Sequence, residues 1–377
     1  MLLILWCVIV CGSVVFKTSR IYTSLIVLFG VLLFTFSNDN ADSLNYFISY
    51  CDLKSGKNPV FSGNALSNLV FYIAGLFNDF KLSRFLFSSI SFVLIYKGAK
   101  RYTENVNVVL GLFLIAPYVI DATQVKSMIS MSVWFYFSYY LFEACRGYNE
   151  RKNTIKYLIG VFIASEFHFS YVLTALYVLV MYLNKKKLVI TACIVNALGF
   201  TAFGLTKINA FMDVFSALSN FQSAFLRLRG ESVLVTETMY LYRIRTSALF
   251  YIFLLISYIL LIPINNLQNV KTGNNFNLGF SEALGQFVFK LNIATLCFLP
   301  LLSISMELYR LQRDLLLIDY TYLAVLLFTY KFGAVRITFS NIWVIGIGFI
   351  LAFYYLFIEA IYGNINTVFL PLFHMTR

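Results

Sequence analysis

Apolar runs separated by short polar turns set the pattern of this chain: Leu2–Phe16, Ile21–Phe36, Leu82–Tyr96, Val106–Ile120, Val125–Cys145, Tyr157–Phe167, Phe169–Leu183, Leu188–Leu205, Thr246–Ile264, Ala283–Ser305, Leu315–Phe332 and Thr338–Ile361. None alternates apolar and polar residues as the strands of a membrane barrel do. Read as helices, they approach the roughly 17–25 residues needed to cross about 30 Å of hydrocarbon. The pattern predicts an all-α, polytopic membrane bundle of about 12 transmembrane helices, a single transmembrane domain over residues 1–377. Leu2–Phe16 has no basic segment before it and a second run directly after it, so a retained helix is expected and not a cleaved signal peptide.

Composition agrees. Hydrophobic residues make up 60% of the 377 and charged residues 12%, with a mean hydropathy of +0.79. A soluble fold could not cover that much apolar surface without leaving large exposed patches. Placing short basic loops on the cytoplasmic side puts both termini outside, with Arg146–Lys156 and Lys185–Lys187 inside. The outer loops then cover about 37–81 and 206–245. Pro59–Asn78 is expected to be a re-entrant or interfacial helix, because Gly63, Asn64, Ser67 and Asn68 make its first half too polar for lipid. The net charge of +12 suits a membrane of anionic lipids, and it equally suits anionic ligands. The six cysteines form no C-x-x-C pair, and with only His168 and His374 a histidine metal cluster is not expected.

Several charges lie where this topology does not need them. Lys126 opens a run at its outer end, facing the unfavourable pole of the helix dipole; either it snorkels to the headgroups or it meets an anionic ligand. Asp121 and Gln124 stand just before it. His168 follows Glu166 by two residues, so the two do not share a helical face, and His168-Phe169 is expected to be a tight turn. The histidine either acts as acid or base near neutral pH or is satisfied by a neighbouring carbonyl. In this topology Lys126 and the Glu166/His168/Ser170 turn emerge on one side of the bilayer. Phe221–Gly230 is amphipathic, with Arg227 and Arg229 on its polar side; it reads as a surface helix on lipid headgroups or as a phosphate clamp. In Met306–Asp314, Glu307 and Arg310 are spaced i,i+3, and Arg310 and Asp314 i,i+4, so internal pairing is expected. Arg313 has no acidic neighbour at that spacing. Four charges at one end of a run are costly without partners or a wet cavity, which points to function. Lys290, two turns into its run, reads as a snorkelling lysine.

With these residues in view, the chain resembles the Wzy/EpsG-type polysaccharide polymerases of bacterial inner membranes. The resemblance rests on Asp42-Ser-Leu-Asn45-Tyr46, on the Asp121…Lys126 run start, on Ala164-Ser-Glu-Phe-His168-Phe-Ser170, and on Tyr309-Arg310-Leu-Gln-Arg313. Lys126 departs from the pattern, standing where the family has arginine. Such polymerases join oligosaccharide repeat units carried on undecaprenyl diphosphate at the outer face of the membrane. The resemblance implies that Arg310 and Arg313, with Lys126, Arg227 or Arg229, hold the diphosphate, and that His168 or Glu307 acts as base. Asp42 and Asp121 join the substrate-binding set. It also implies a chain-length regulator as partner, and neither cofactor, metal nor nucleic acid. A flippase of the same lipid-linked unit, a glycosyltransferase using polyprenyl phosphate sugars and an O-antigen ligase are the alternatives. A flippase is expected to place its charges at mid-membrane between two comparable halves, and no internal repeat is evident here.

Overall fold

The computed structural model describes residues 1–40, 42–57, 59–60, 63–205, 275–300, 310–327, 339–361 and 365–374. Among them the chain is helical and no strand occurs. The helices are α1 (Leu2–Val15), α2 (Arg20–Phe36), α3 (Ser43–Lys54), α4 (Ala65–Leu76), α5 (Phe80–Tyr102), α6 (Val106–Ile115), α7 (Tyr118–Asp121), α8 (Val125–Cys145) and α9 (Glu150–Phe167). A 3-10 segment, Phe169–Val178, leads into α10 (Leu179–Tyr182) and α11 (Lys185–Leu205). Later come α12 (Asn275–Leu296), α13 (Arg310–Asp314), α14 (Leu316–Leu326), α15 (Phe339–Leu356), two π-helical turns and α16 (Leu370–Phe373).

Local chemistry sets the boundaries. Ser19 starts α2 by accepting from the Tyr22 backbone N–H at 3.3 Å, and Asp79 starts α5 by accepting from Lys81 N–H at 2.8 Å. Pro117 cannot continue a helix and forces Ala116 into an extended conformation. The expected single run Val106–Ile120 is therefore broken into α6 and α7. His168 is extended, with φ −151° and ψ 114°, and it separates α9 from the 3-10 segment as a turn between two runs should. The loop expected before Pro59 contains a helix, α3, which packs beside α4.

α8 is the central element, lying along α9 and α5. Glycines permit the closest approaches: a Cβ on Gly160 would sit 2.2 Å from the Phe137 ring, and one on Gly30 the same distance from Phe92. Polar stitches tie the helices in between. Trp134 Nε1 donates to the Tyr157 hydroxyl at 3.1 Å, which donates to the Thr174 carbonyl at 2.7 Å; Tyr118 donates to the Gly30 carbonyl at 2.6 Å.

The expectation of a long apolar run for each span is not met: among the described residues no helix is both long and apolar enough to cross a membrane. α1 and α6 have 14 and 10 residues, and the 23-residue α5 carries Lys81, Arg84, Lys97, Lys100 and Arg101. α4 has 12 residues, about 18 Å of helix. Beside a large apolar core, many apolar side chains nonetheless face outward and several polar ones lie inside. Ile4, Val8, Ile21, Leu28, Phe162 and Leu198 are more than half exposed, whereas Ser83, Ser88, Asn105, Asn107, Ser130 and Ser138 are buried.

Candidate active site

Three short elements from distant parts of the chain meet at the start of α8: the α7–α8 turn, the His168 turn and α13. Arg313 is at their centre, 3% exposed. Its Nη2 lies 2.6 Å from Asp121 Oδ1 and donates to Gln124 Oε1 at 3.0 Å and Ser127 Oγ at 3.3 Å. The contact with Asp121 is an ion pair and not a well-directed hydrogen bond, since neither Asp121 oxygen has hydrogen-bond geometry to a donor among the described residues.

Asp314, next in sequence, has its own partner. Its Oδ2 accepts from the Tyr171 hydroxyl, which is buried in the 3-10 segment. Two buried carboxyl groups thus flank one guanidinium. Both lie in short connecting elements, and burial raises both above the usual carboxylate range. Arg313 and then Arg310 pull Asp121 back; Asp314 is pulled back by Arg313 but pushed further up by Asp121. The two carboxyl groups are coupled through Arg313, and both hold a proton to higher pH than an exposed carboxylate does.

Arg310 and His168 form the second half of the cluster. Arg310 Nη1 is 2.6 Å from His168 Nε2, and His168 Nδ1 is 2.8 Å from Ser170 Oγ. A guanidinium has only donors, so Nε2 must accept. The imidazole is then neutral, with its proton on Nδ1 and donated to Ser170. Arg310 is half-buried, unlike Arg313. Among the described residues Arg310 makes its contact with His168 and no ion pair with Asp314; Glu307, and with it the expected Glu307–Arg310 pairing, lies outside them.

Lys126 points to the other side of the same turn. Its ammonium lies 6.0 Å from the Tyr46 ring centre and 5.9 Å from that of Phe71, two rings stacked between α3 and α4. Asp42 heads α3, one turn before Tyr46. The α3–α4 pair joins the main cluster through two bonds: Ser67 Oγ donates to the Phe167 carbonyl at 2.9 Å, and Asn40 Nδ2 to the Ala122 carbonyl at 3.1 Å. A crevice of about 10 Å³, room for roughly one water, separates Tyr46, Phe71 and Val125 from Arg84. Of the expected site residues, Asp121, His168, Arg310 and Arg313 come together, Lys126 and Asp42 lie on the adjoining flank, and Arg227 and Arg229 lie outside the described residues.

Sequence reasoning missed Tyr171 and Arg84. Arg84 is buried in α5, donating from Nη1 to the Ser37 carbonyl at 3.0 Å and from Nη2 to Ser37 Oγ. An arginine within an apolar run, among Ser83, Ser88 and Ser91, was the available signal. Among the described residues no group of three His, Cys, Asp or Glu is arranged to hold a metal ion.

Among the described residues the protein is helical and gathers two guanidinium groups, one imidazole and two carboxyl groups near the start of α8. The chain belongs to the EpsG family, whose sequence profile matches residues 20–373. Membership implies a polysaccharide-polymerase role and a membrane-embedded setting. No curated relative and no solved structure matches the chain significantly.

Proposed function

We propose that the protein is a membrane-embedded polymerase of the bacterial inner membrane that joins oligosaccharide repeat units carried on undecaprenyl diphosphate, with the Arg310–His168 cluster at its outer face. The single observation that carries this reading is the 2.6 Å contact between Arg310 and the acceptor nitrogen of a neutral His168. The exposed apolar residues and buried polar ones support a lipid environment, where polar groups are kept inside the bundle.

In the reaction, the bond between the growing chain's terminal sugar carbon and its diphosphate breaks, and the diphosphate leaves with the electron pair. The same carbon bonds to a hydroxyl oxygen of the next unit, whose proton must be taken up. Arg310 binds the diphosphate through charge-assisted hydrogen bonds, which stabilise the charge developing on the leaving group. Turning to the diphosphate removes Arg310 from His168 and exposes the Nε2 lone pair, which then accepts the hydroxyl proton. Substrate binding and base activation are thus one movement. Arg313, committed to Asp121, is a positioning residue that fixes α13 against α8. Lys126, over Tyr46 and Phe71, extends the cationic surface toward α3 and α4. The family resemblance adds Arg227 and Arg229 at the diphosphate, Asp42 to the substrate-binding set and Glu307 as the alternative base.

The test is the ladder of surface polysaccharide in cells lacking the gene and complemented with Arg310→Ala or His168→Ala. Single repeat units without longer bands are expected, with the protein present at wild-type level. Long free polymer that fails to reach its final acceptor would make the protein a ligase; absence of any surface unit would make it a flippase.

A further inference from the structure

At the far end of α8, some 28 Å from Ser127 by helical rise, a cavity of about 340 Å³ opens between the α8 C-terminus and α12. Its volume falls within the range of small-ligand pockets, and nothing in the polymerase reading uses it. Two cations line it. Arg146 stacks against aromatic rings on three sides, its guanidinium carbon 4.8 Å from the Tyr148 ring centre, 5.3 Å from Phe280 and 5.4 Å from Phe142. Lys290 reaches in from α12 and spends one proton on the Val180 carbonyl at 3.1 Å. An ammonium has three donors and a guanidinium five, so both retain capacity for a ligand.

The acidic groups nearby do not cancel this. Glu143, in the last turn of α8, takes one arm of Arg146 at 2.8 Å. Glu282 lies four residues before Gln286 and accepts from its amide at 3.3 Å. Neither acid is among the residues lining the cavity, whereas Arg146, Gln286 and Lys290 are. Backbone N–H groups of Arg146, Gly147 and Tyr148 already occupy the Phe142, Ala144 and Glu143 carbonyls, which reduces the negative end of the helix facing the cavity. The next stretch of chain, with Glu150, Arg151, Lys152 and Lys156, lines a separate hollow.

We propose that this cavity is a phosphate-binding site, gripping one tetrahedral phosphate between Arg146 and Lys290 with Gln286 as a neutral donor. Arginine held flat by rings is preorganised for two oxygens of such a group; lysine supplies a point charge to a third. Either the headgroup of an anionic phospholipid or free inorganic phosphate satisfies this chemistry. The open side of the cavity and its apolar floor of Phe142 and Phe287 favour the lipid, whose glycerol end would rest there. The inference is independent of how the opposite end of the bundle acts.

The full-length protein in nanodiscs of mixed phosphatidylglycerol and phosphatidylcholine, with retained lipids counted by native mass spectrometry, provides the test. Wild type is expected to hold phosphatidylglycerol preferentially, and Lys290→Gln and Arg146→Gln to weaken that retention about tenfold each, as losing one charged hydrogen bond does. Lys290→Arg should restore it, and Lys156→Gln, a nearby cation outside the cavity, should leave it unchanged. Saturable protection against thermal unfolding by inorganic phosphate in phosphatidylcholine alone, lost in Lys290→Gln, would support the site with a soluble ligand instead. Equal retention of both lipids in wild type together with no effect of phosphate overturns the proposal. So does a preference that survives in both folded variants.

Discussion

Arg313 and Asp121 form an ion pair, 2.6 Å apart, with side chains 3% and 0% exposed. The pair joins α13 to the α7–α8 turn at the point where the His168 turn also arrives. Removing one partner of such a pair leaves an uncompensated buried charge, at a cost on the order of 3–5 kcal/mol. Arg313→Ala and Asp121→Ala are each expected to lower the unfolding temperature and the yield of monodisperse protein in detergent. The double variant Asp121→Ala/Arg313→Ala should be less damaging than the two single effects added, because it removes both charges. Strict additivity in that cycle would show that the two groups do not act on each other.

Arg310 and His168 should behave in the opposite way. Arg310 is half-buried and meets His168 at an acceptor nitrogen, so truncating either breaks no buried ion pair among the described residues. Arg310→Ala and His168→Ala should keep the unfolding temperature near that of wild type while abolishing long polymer, a loss on the order of a hundredfold or more in chain transfer for a missing base or charge donor. Arg310→Lys keeps a charge but loses the fork and should recover only part of the ladder. A well-folded His168→Ala protein that makes polymer of normal length would remove the histidine from the chemistry.

The upward shift of the Asp314 carboxyl has a measurable consequence. Burial raises this carboxyl above its ordinary value of 3.8, Arg313 opposes the shift and Asp121 adds to it. An unfolded chain gives up that proton at the ordinary value, whereas the folded chain holds it to higher pH. Between those two points the unfolded state binds fewer protons, so stability falls as pH rises through the window. Asp314→Asn mimics the protonated carboxyl and should flatten this fall. Thermal unfolding of wild type and variant, followed from mildly acidic to mildly alkaline pH, checks it; parallel curves would place the proton elsewhere.

The local pieces of this site were legible in the sequence because charge at the end of an apolar run is expensive. Asp121, Lys126, His168, Arg310 and Arg313 all stand out on that ground alone. Their assembly was not legible. Arg310 meets His168 across 142 residues of sequence and Arg313 meets Gln124 across 189, separations at which helical spacing carries no information. Spacing instead suggested that Arg310 would pair with Asp314. Tyr171 was passed over because a tyrosine among 26 carries no signal until its hydroxyl is seen on Asp314. The all-helical class followed from hydropathy, but α3 did not: Leu44, Phe47 and Ile48 are exposed while Ser43, Tyr50 and Leu53 are buried, so its polarity pattern resembles a loop. Pro117, which splits the fourth run, was readable from residue type and was absorbed into the run by its apolar neighbours.

Arg84 offers a test of how far positioning extends from the site. Its guanidinium holds Ser37, the first residue of the link between α2 and α3. Three residues further on, Asn40 Nδ2 donates to the Ala122 carbonyl, immediately after Asp121, at 3.1 Å. The chain Arg84–Ser37–Asn40–Ala122 thus braces the turn that carries the acidic partner of Arg313. Arg84→Ala leaves the Ser37 carbonyl without its donor in a buried setting, a cost of about 1–3 kcal/mol. Asn40→Ala breaks only the last link and should cost less, about 1 kcal/mol. If bracing is the role, both variants should shorten polymer in proportion to faster hydrogen exchange at the amides of Ala122–Gln124. If Arg84 served only to stabilise its own helix, Arg84→Ala would lower the unfolding temperature with exchange at Ala122–Gln124 unchanged.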